Sequence, residues 1–124
     1  METTIKSIVI IALLMIGLNK QSFAQKNISL SDPDEITEAA VKYFEYSLKE
    51  GELFKLAEKH QITGAYEFDV TIRERGEVAS VFVVDREGGS LAFQNLVKDA
   101  VMKMKLGFKM QKGKRYKINY KFQF

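Results

Sequence analysis

Cysteine is absent from the 124-residue chain. This excludes disulfides, thiol nucleophiles, thiolate metal sites and a lipid anchor on an N-terminal cysteine. Tryptophan is also absent and histidine occurs once, at His60, which removes most of the side chains that carry metal or acid–base chemistry. The single proline, Pro33, leaves no Pro-rich spacer in this sequence. Long apolar runs are equally scarce. The one that stands out, residues 8–18 (IVIIALLMIGL), is well short of the ~20 residues that cross a hydrocarbon core.

That run has the features of a cleavable leader instead. Lys6 supplies a positive start, residues 8–18 an apolar centre, and Ser22-Phe23-Ala24 the small residues before a cut at Gln25. Residues 1–24 are therefore expected to be a signal peptide with no retained membrane span, and the mature chain to be periplasmic in a Gram-negative envelope. About 100 residues remain, enough for one hydrophobic core but small for a deep active-site cleft. The chain is 46% hydrophobic and 28% charged, an ordinary globular balance.

Residues 25–31 show no periodicity and are expected to be a frayed start. Asp32, Pro33 and Glu35 then have the spacing of a helix N-terminus, as N-cap, N1 and N3. Ile36, Ala39, Ala40, Tyr43, Phe44 and Ser47 follow at helical spacing. Gly51 is placed to end that helix, and a second runs from Glu52 to His60. These two make a helical extension over residues 25–60.

From Gly64 the period falls to two. Tyr66, Phe68, Val70 and Ile72 alternate with Glu67, Asp69, Thr71 and Arg73, as in a strand buried on one face. Residues 73–77 form a turn around Gly76. The next strand, residues 78–84 (VASVFVV), is apolar almost throughout and is expected to be covered more completely than the first. Residues 85–89 are expected as loop and residues 90–106 as a helix capped by Ser90. The buried stripe of that helix would be Leu91, Phe93, Leu96, Val97, Ala100, Val101 and Met104. After a basic turn, Tyr116, Ile118, Tyr120, Phe122 and Phe124 alternate with Arg115, Lys117, Asn119, Lys121 and Gln123. The fold class is thus α+β: a two-layer ββαβ domain over residues 61–124, with a three-stranded antiparallel sheet and an N-terminal helical extension.

Residues 64–70 (GAYEFDV) followed by Arg75-Gly76-Glu77-Val78, with Ala100-Val101 in mid-helix and Phe108 and Gly113 before an alternating last strand, resemble the C-terminal domain of the TonB family. The resemblance covers about residues 53–124. It implies a periplasmic binding module that takes a short segment of an outer-membrane transporter as an added strand. This chain departs from the family pattern in having Phe54-Lys55 where a Tyr-Pro pair is usual. It also has neither the family's retained membrane helix nor its Pro-rich spacer, so a detached binding domain or a competitor is expected rather than a transducer.

The site expected from this reading is the last strand. Its polar residues Arg115, Lys117, Asn119, Lys121 and Gln123 would border an edge open to an extended peptide. Pairing of that edge with a second copy, giving a homodimer or self-assembled envelope protein, is the alternative. Charge is uneven. From Lys98 onward nine Lys/Arg stand against one Asp, while residues 25–97 hold eight basic and fourteen acidic residues. This either makes a basic face for an anionic partner or lets the basic half fold against the acidic half. No nucleic-acid motif is present. No catalytic residue, metal site or cofactor is expected. His60 has no Cys, Asp or second His near it in sequence, Glu67 and Asp69 read as solvent-facing strand carboxylates, Gly88-Gly89 as a turn and Met102/Met104 as core fillers. The ending Tyr120-x-Phe122-x-Phe124 also resembles the last strand of an outer-membrane barrel, but the three strands visible are far fewer than the about eight such a barrel needs.

Overall fold

The computed structural model describes residues 28–124; the expected signal peptide and its cleavage site lie outside them. In chain order the elements are β1 (Ile28–Ser29), α1 (Pro33–Lys49), α2 (Glu52–His60), β2 (Ala65–Arg73), β3 (Val78–Glu87), α3 (Leu91–Met102), β4 (Phe108–Lys109) and β5 (Arg115–Gln123). β2, β3 and β5 form an antiparallel sheet in the order β3-β2-β5, so β2 is central and the other two are edges. The helices lie on one face of this sheet, giving an α+β architecture of two layers.

The local chemistry explains where the elements begin. Asp32 is the N-cap of α1 with Pro33 at its first position, and the Asp32 carboxylate accepts the N–H of Asp34 at 3.1 Å. Ser90 Oγ accepts the N–H of Phe93 at 3.1 Å and starts α3. α2 has Gly51 as N-cap and so has no capping side chain of its own. Ser47, buried in the last turn of α1, supplies one by accepting the Leu53 N–H. Gly51 stands just past Glu50, the C-cap of α1, where the sequence places the end of that helix, and has an ordinary φ of −99°. Its lack of a side chain answers crowding, because a Cβ there would stand 2.9 Å from Ser47 Cα.

The core forms between the even-numbered face of β2 and the helices. Tyr66, Phe68, Val70 and Ile72 are wholly buried, as are Phe44, Leu53, Val97, Val101 and Phe122. Ile36, Ala40, Phe44 and Leu53 from α1 and α2 join the same cluster as the sheet residues. The Phe44 ring lies 5.1 Å from both Tyr120 and Phe122, which holds α1 against β5. Aromatic pairs at this separation add about 0.5–1.5 kcal/mol beyond the area they bury.

Four expectations are corrected. β3 runs on to Glu87, because residues 85–87 pair with 65–67 rather than forming a loop. β3 is also covered less than β2: only Val78 and Val81 are buried, and Phe82 is 68% exposed. It is an edge strand covered on one face, and its register shifts twice along β2. α3 ends at Met102, four residues before the periodic pattern does. Met104 and Leu106 are buried but lie outside the helix, and bond to the β2–β3 connection through Val78 N–H to Met104 O (3.4 Å) and Leu106 N–H to Gly76 O (2.7 Å). Finally, residues 28–30 are not frayed. β1 pairs in parallel with β4, and Leu30 donates to Lys109 O at 2.7 Å.

Candidate binding edge

The alternation in β5 is as the sequence implies: Ile118 and Phe122 are buried, Tyr116 and Tyr120 half-buried, and Arg115, Lys117, Asn119, Lys121 and Gln123 exposed. β5 pairs with β2 over its whole length with no register shift, from Arg73↔Arg115 to Ala65↔Gln123. Among the described residues no strand pairs with its other side.

The phase of the ladder decides which backbone groups face that side. Phe124 donates to Gly64 O at 3.0 Å, one step beyond the Ala65↔Gln123 pair. Hydrogen-bonded and non-hydrogen-bonded pairs alternate along an antiparallel ladder. Even-numbered residues of β5 therefore bond to β2, and odd-numbered residues turn their N–H and C=O to the free edge. The bond from Arg73 N–H to Glu77 O (2.7 Å) fits the same phase, since it directs the odd residues of β2 to β3. Arg115, Lys117, Asn119, Lys121 and Gln123 thus carry the outward backbone groups, and their side chains stand on the uncovered face of the sheet.

On that face the basic strand meets acidic neighbours. Asn119 Nδ2 donates to Glu67 Oε2 at 2.9 Å and to Asp69 Oδ1 at 3.0 Å. Lys117 Nζ lies 4.0 Å from Asp69 Oδ2, and Lys121 Nζ 3.1 Å from Glu87 Oε1. The last pair joins the two edge strands. It passes over β2 near Ala65, whose methyl group is the smallest side chain in that row. Part of the basic C-terminal charge is therefore folded against acids of β2 and β3. Such exposed pairs each contribute about 0–1 kcal/mol. At the turn end of the sheet Arg73 stands directly opposite Arg115, a like-charge pair without that compensation in register.

The helix side of the edge is bordered by α1. Pro33, Ile36, Met110, Lys114 and Tyr116 line a cleft of about 250 Å³ beside the start of β5. Burial raises the Tyr120 hydroxyl above its usual range, and the negative charge of Glu45 adds to the shift. On the other flank of α1, burial raises Tyr43 in the same sense, followed by the charges of Glu52 and Tyr46.

Other residues singled out in the sequence fall away from this edge. His60 is the exposed last residue of α2. Met104 is buried and Met102 is 38% exposed. Among the described residues no group of three or more His, Asp or Glu side chains is arranged to hold a metal ion. No helix among them is long and apolar enough to cross a membrane. The acidic side chains of α1 beside β5 were not foreseen, because helical periodicity shows which face is buried but not which strand lies beneath it.

The chain matches no protein-family model, no curated protein and no solved structure.

Proposed function

We propose that this chain is an exported, non-catalytic binding module of the TonB C-terminal kind, which takes an extended segment of an outer-membrane transporter as a strand along β5. The observation that carries the reading is the free edge of β5. It is a regular nine-residue strand whose outward N–H and C=O groups belong to five consecutive odd-numbered residues. Backbone hydrogen bonds along such an edge supply affinity, and side chains on either side supply selection. The choice of partner is supported by the resemblance of residues 64–78 and of the last strand to the TonB C-terminal pattern.

The test uses a photoreactive residue at Lys117 or Asn119 in the mature protein, exposed to an outer-membrane extract. Crosslinking to the N-terminal segment of a transporter is the expected result. Lys121→Pro removes an outward donor but no bond to β2, so it should abolish capture while leaving the fold intact. Failure to recover a transporter, or capture unaffected by the proline, removes this reading.

Self-association is a second reading, supported by one observation. Phe82 (68% exposed) and Val84 (45%) give β3 an apolar surface that α3 does not cover. Sedimentation that depends on concentration, and is abolished by Phe82→Lys, would favour it. A monomer at every concentration would eliminate it.

A further inference from the structure

The free edge of β5 runs between a basic row and a helix flank of net negative charge. On the uncovered face the side chains nearest the edge are Arg115, Lys117 and Lys121, while the acids that pair with the lysines, Asp69 and Glu87, are set back on β2 and β3. On the helix side is the flank of α1 turned away from α2. The opposite flank is the one engaged with α2, where Ser47 accepts the Leu53 N–H. At 100° per residue, Asp34, Val41 and Glu45 share the outer flank. With Thr37, Glu38 and Lys42 they line a shallow groove along the helix; Lys42 pairs with Glu38 at 3.1 Å, so the net negative charge of the groove is that of Asp34 and Glu45. Phe44, next to Glu45, packs on Tyr120 and Phe122, and Pro33, next to Asp34, shares a cleft with Tyr116, which puts this flank on the β5 side of the molecule.

A strand laid against β5 sends successive side chains to opposite faces. One set therefore lies beside the lysine row, at cross-strand distances of about 4.5–5.5 Å between Cβ atoms. The other set lies beside the α1 flank and the half-buried Tyr116 and Tyr120. We propose that the occupant of this edge is an extended segment of alternating charge, acidic beside Lys117 and Lys121 and basic beside Asp34 and Glu45. The proposal rests on the strand-addition reading and adds to it a rule for choosing the segment. A uniformly acidic segment fails the rule, because half of its carboxylates would face Glu45 and Asp34. A second copy of β5 fails it too. Two β5 edges joined antiparallel into one continuous sheet bring their lysine rows side by side, and like charges directly opposite are destabilising.

The probes are labelled peptides as long as β5, nine residues, read by fluorescence anisotropy against the mature protein. One alternates Glu with Lys, one has the same composition in two blocks, one alternates Glu with Thr, and one alternates Lys with Thr. Each is also made with N-methylated backbone amides that cannot pair. The alternating Glu/Lys peptide should bind tightest, about tenfold or more over the block peptide, with the preference shrinking as salt rises. Glu45→Lys should weaken the Glu/Lys peptide and leave the Glu/Thr peptide unchanged. The double variant Lys117→Glu/Lys121→Glu should weaken the Glu/Lys peptide and leave the Lys/Thr peptide unchanged. Binding that N-methylation abolishes but that is equal for all four patterns would overturn the charge rule and keep strand addition. Binding indifferent to N-methylation, or no binding, would remove strand addition and the rule with it.

Discussion

Ser47 Oγ accepts the backbone N–H of Leu53 at 3.2 Å, so the last turn of α1 caps the first turn of α2. Both residues are buried, at 3% and 0% exposure. Water cannot replace the bond if it is lost.

Ser47→Ala should therefore destabilise the fold by about 1–2 kcal/mol, the range of a lost cap combined with an unsatisfied buried N–H. Urea denaturation gives the number. A shift of the midpoint with an unchanged slope is expected, and no shift would mean that Leu53 finds another acceptor.

Gly76 has a φ of +86°, and a side chain there would run into the carbonyl oxygens of Leu106 and Phe108. Gly76→Ala combines a strained backbone with a steric conflict against main chain that has little room to move. A loss above about 2 kcal/mol is expected. Thermal unfolding, compared with Gly113→Ala, separates the two causes. Gly113 has a φ of +81° but open space around it, so its variant should be affected less.

Asn119 holds Glu67 and Asp69 together by donating to both. Asn119→Asp exchanges that shared donor for a third carboxylate in the same row. The variant should lose about 1 kcal/mol at neutral pH. The loss should shrink as salt is raised, because screening weakens the repulsion. Urea midpoints measured at low and high salt check the sign. A deficit indifferent to salt would mean that packing, not charge, is the cause.

Tyr43 and Tyr120 are both raised above 10.0, chiefly by burial. A group whose folded-state value exceeds its unfolded value loses its contribution as pH climbs from the unfolded value through the folded one. Stability should thus be unaffected by these groups below about pH 10 and should fall above it. Tyrosinate absorbance, compared with Tyr43→Phe and Tyr120→Phe, should show both of these groups titrating late. Glu45→Gln should bring Tyr120 earlier and leave Tyr43 in place.

Much of this architecture is legible in the chain because single-face burial leaves a periodic trace. Alternation in β2 and β5 reads directly, since each has one wet face and one dry face. The start of α1 reads from Asp32 and Pro33. α3 and β3 are misread for identifiable reasons. Met104 and Leu106 continue the helical spacing, yet their backbones leave the helix to bond Val78 and Gly76. The run from Val78 to Val84 reads as buried on both sides, but Phe82 falls on the face that no helix covers. The polar face of β5 is visible in sequence, whereas its position at the edge is not. That depends on β2 taking β3 on one side and β5 on the other, a choice made by the whole topology. The acidic flank of α1 is hidden for the same reason, because only the packing of Phe44 against Tyr120 and Phe122 shows which strand it borders.

The two register shifts in β3 bear on how far pairing can travel. β5 is straight in register for nine residues, while β3 is interrupted between Glu67 and Phe68 and again between Thr71 and Ile72 of its partner. Head-to-tail joining of the β5 edge of one molecule to the β3 edge of the next is the geometry that grows filaments. Bulges twist an edge away from flat, continuous pairing. The two edges are therefore unequal: β5 is the one long edge in unbroken register, and the shifts in β3 work against continuous pairing on the other side.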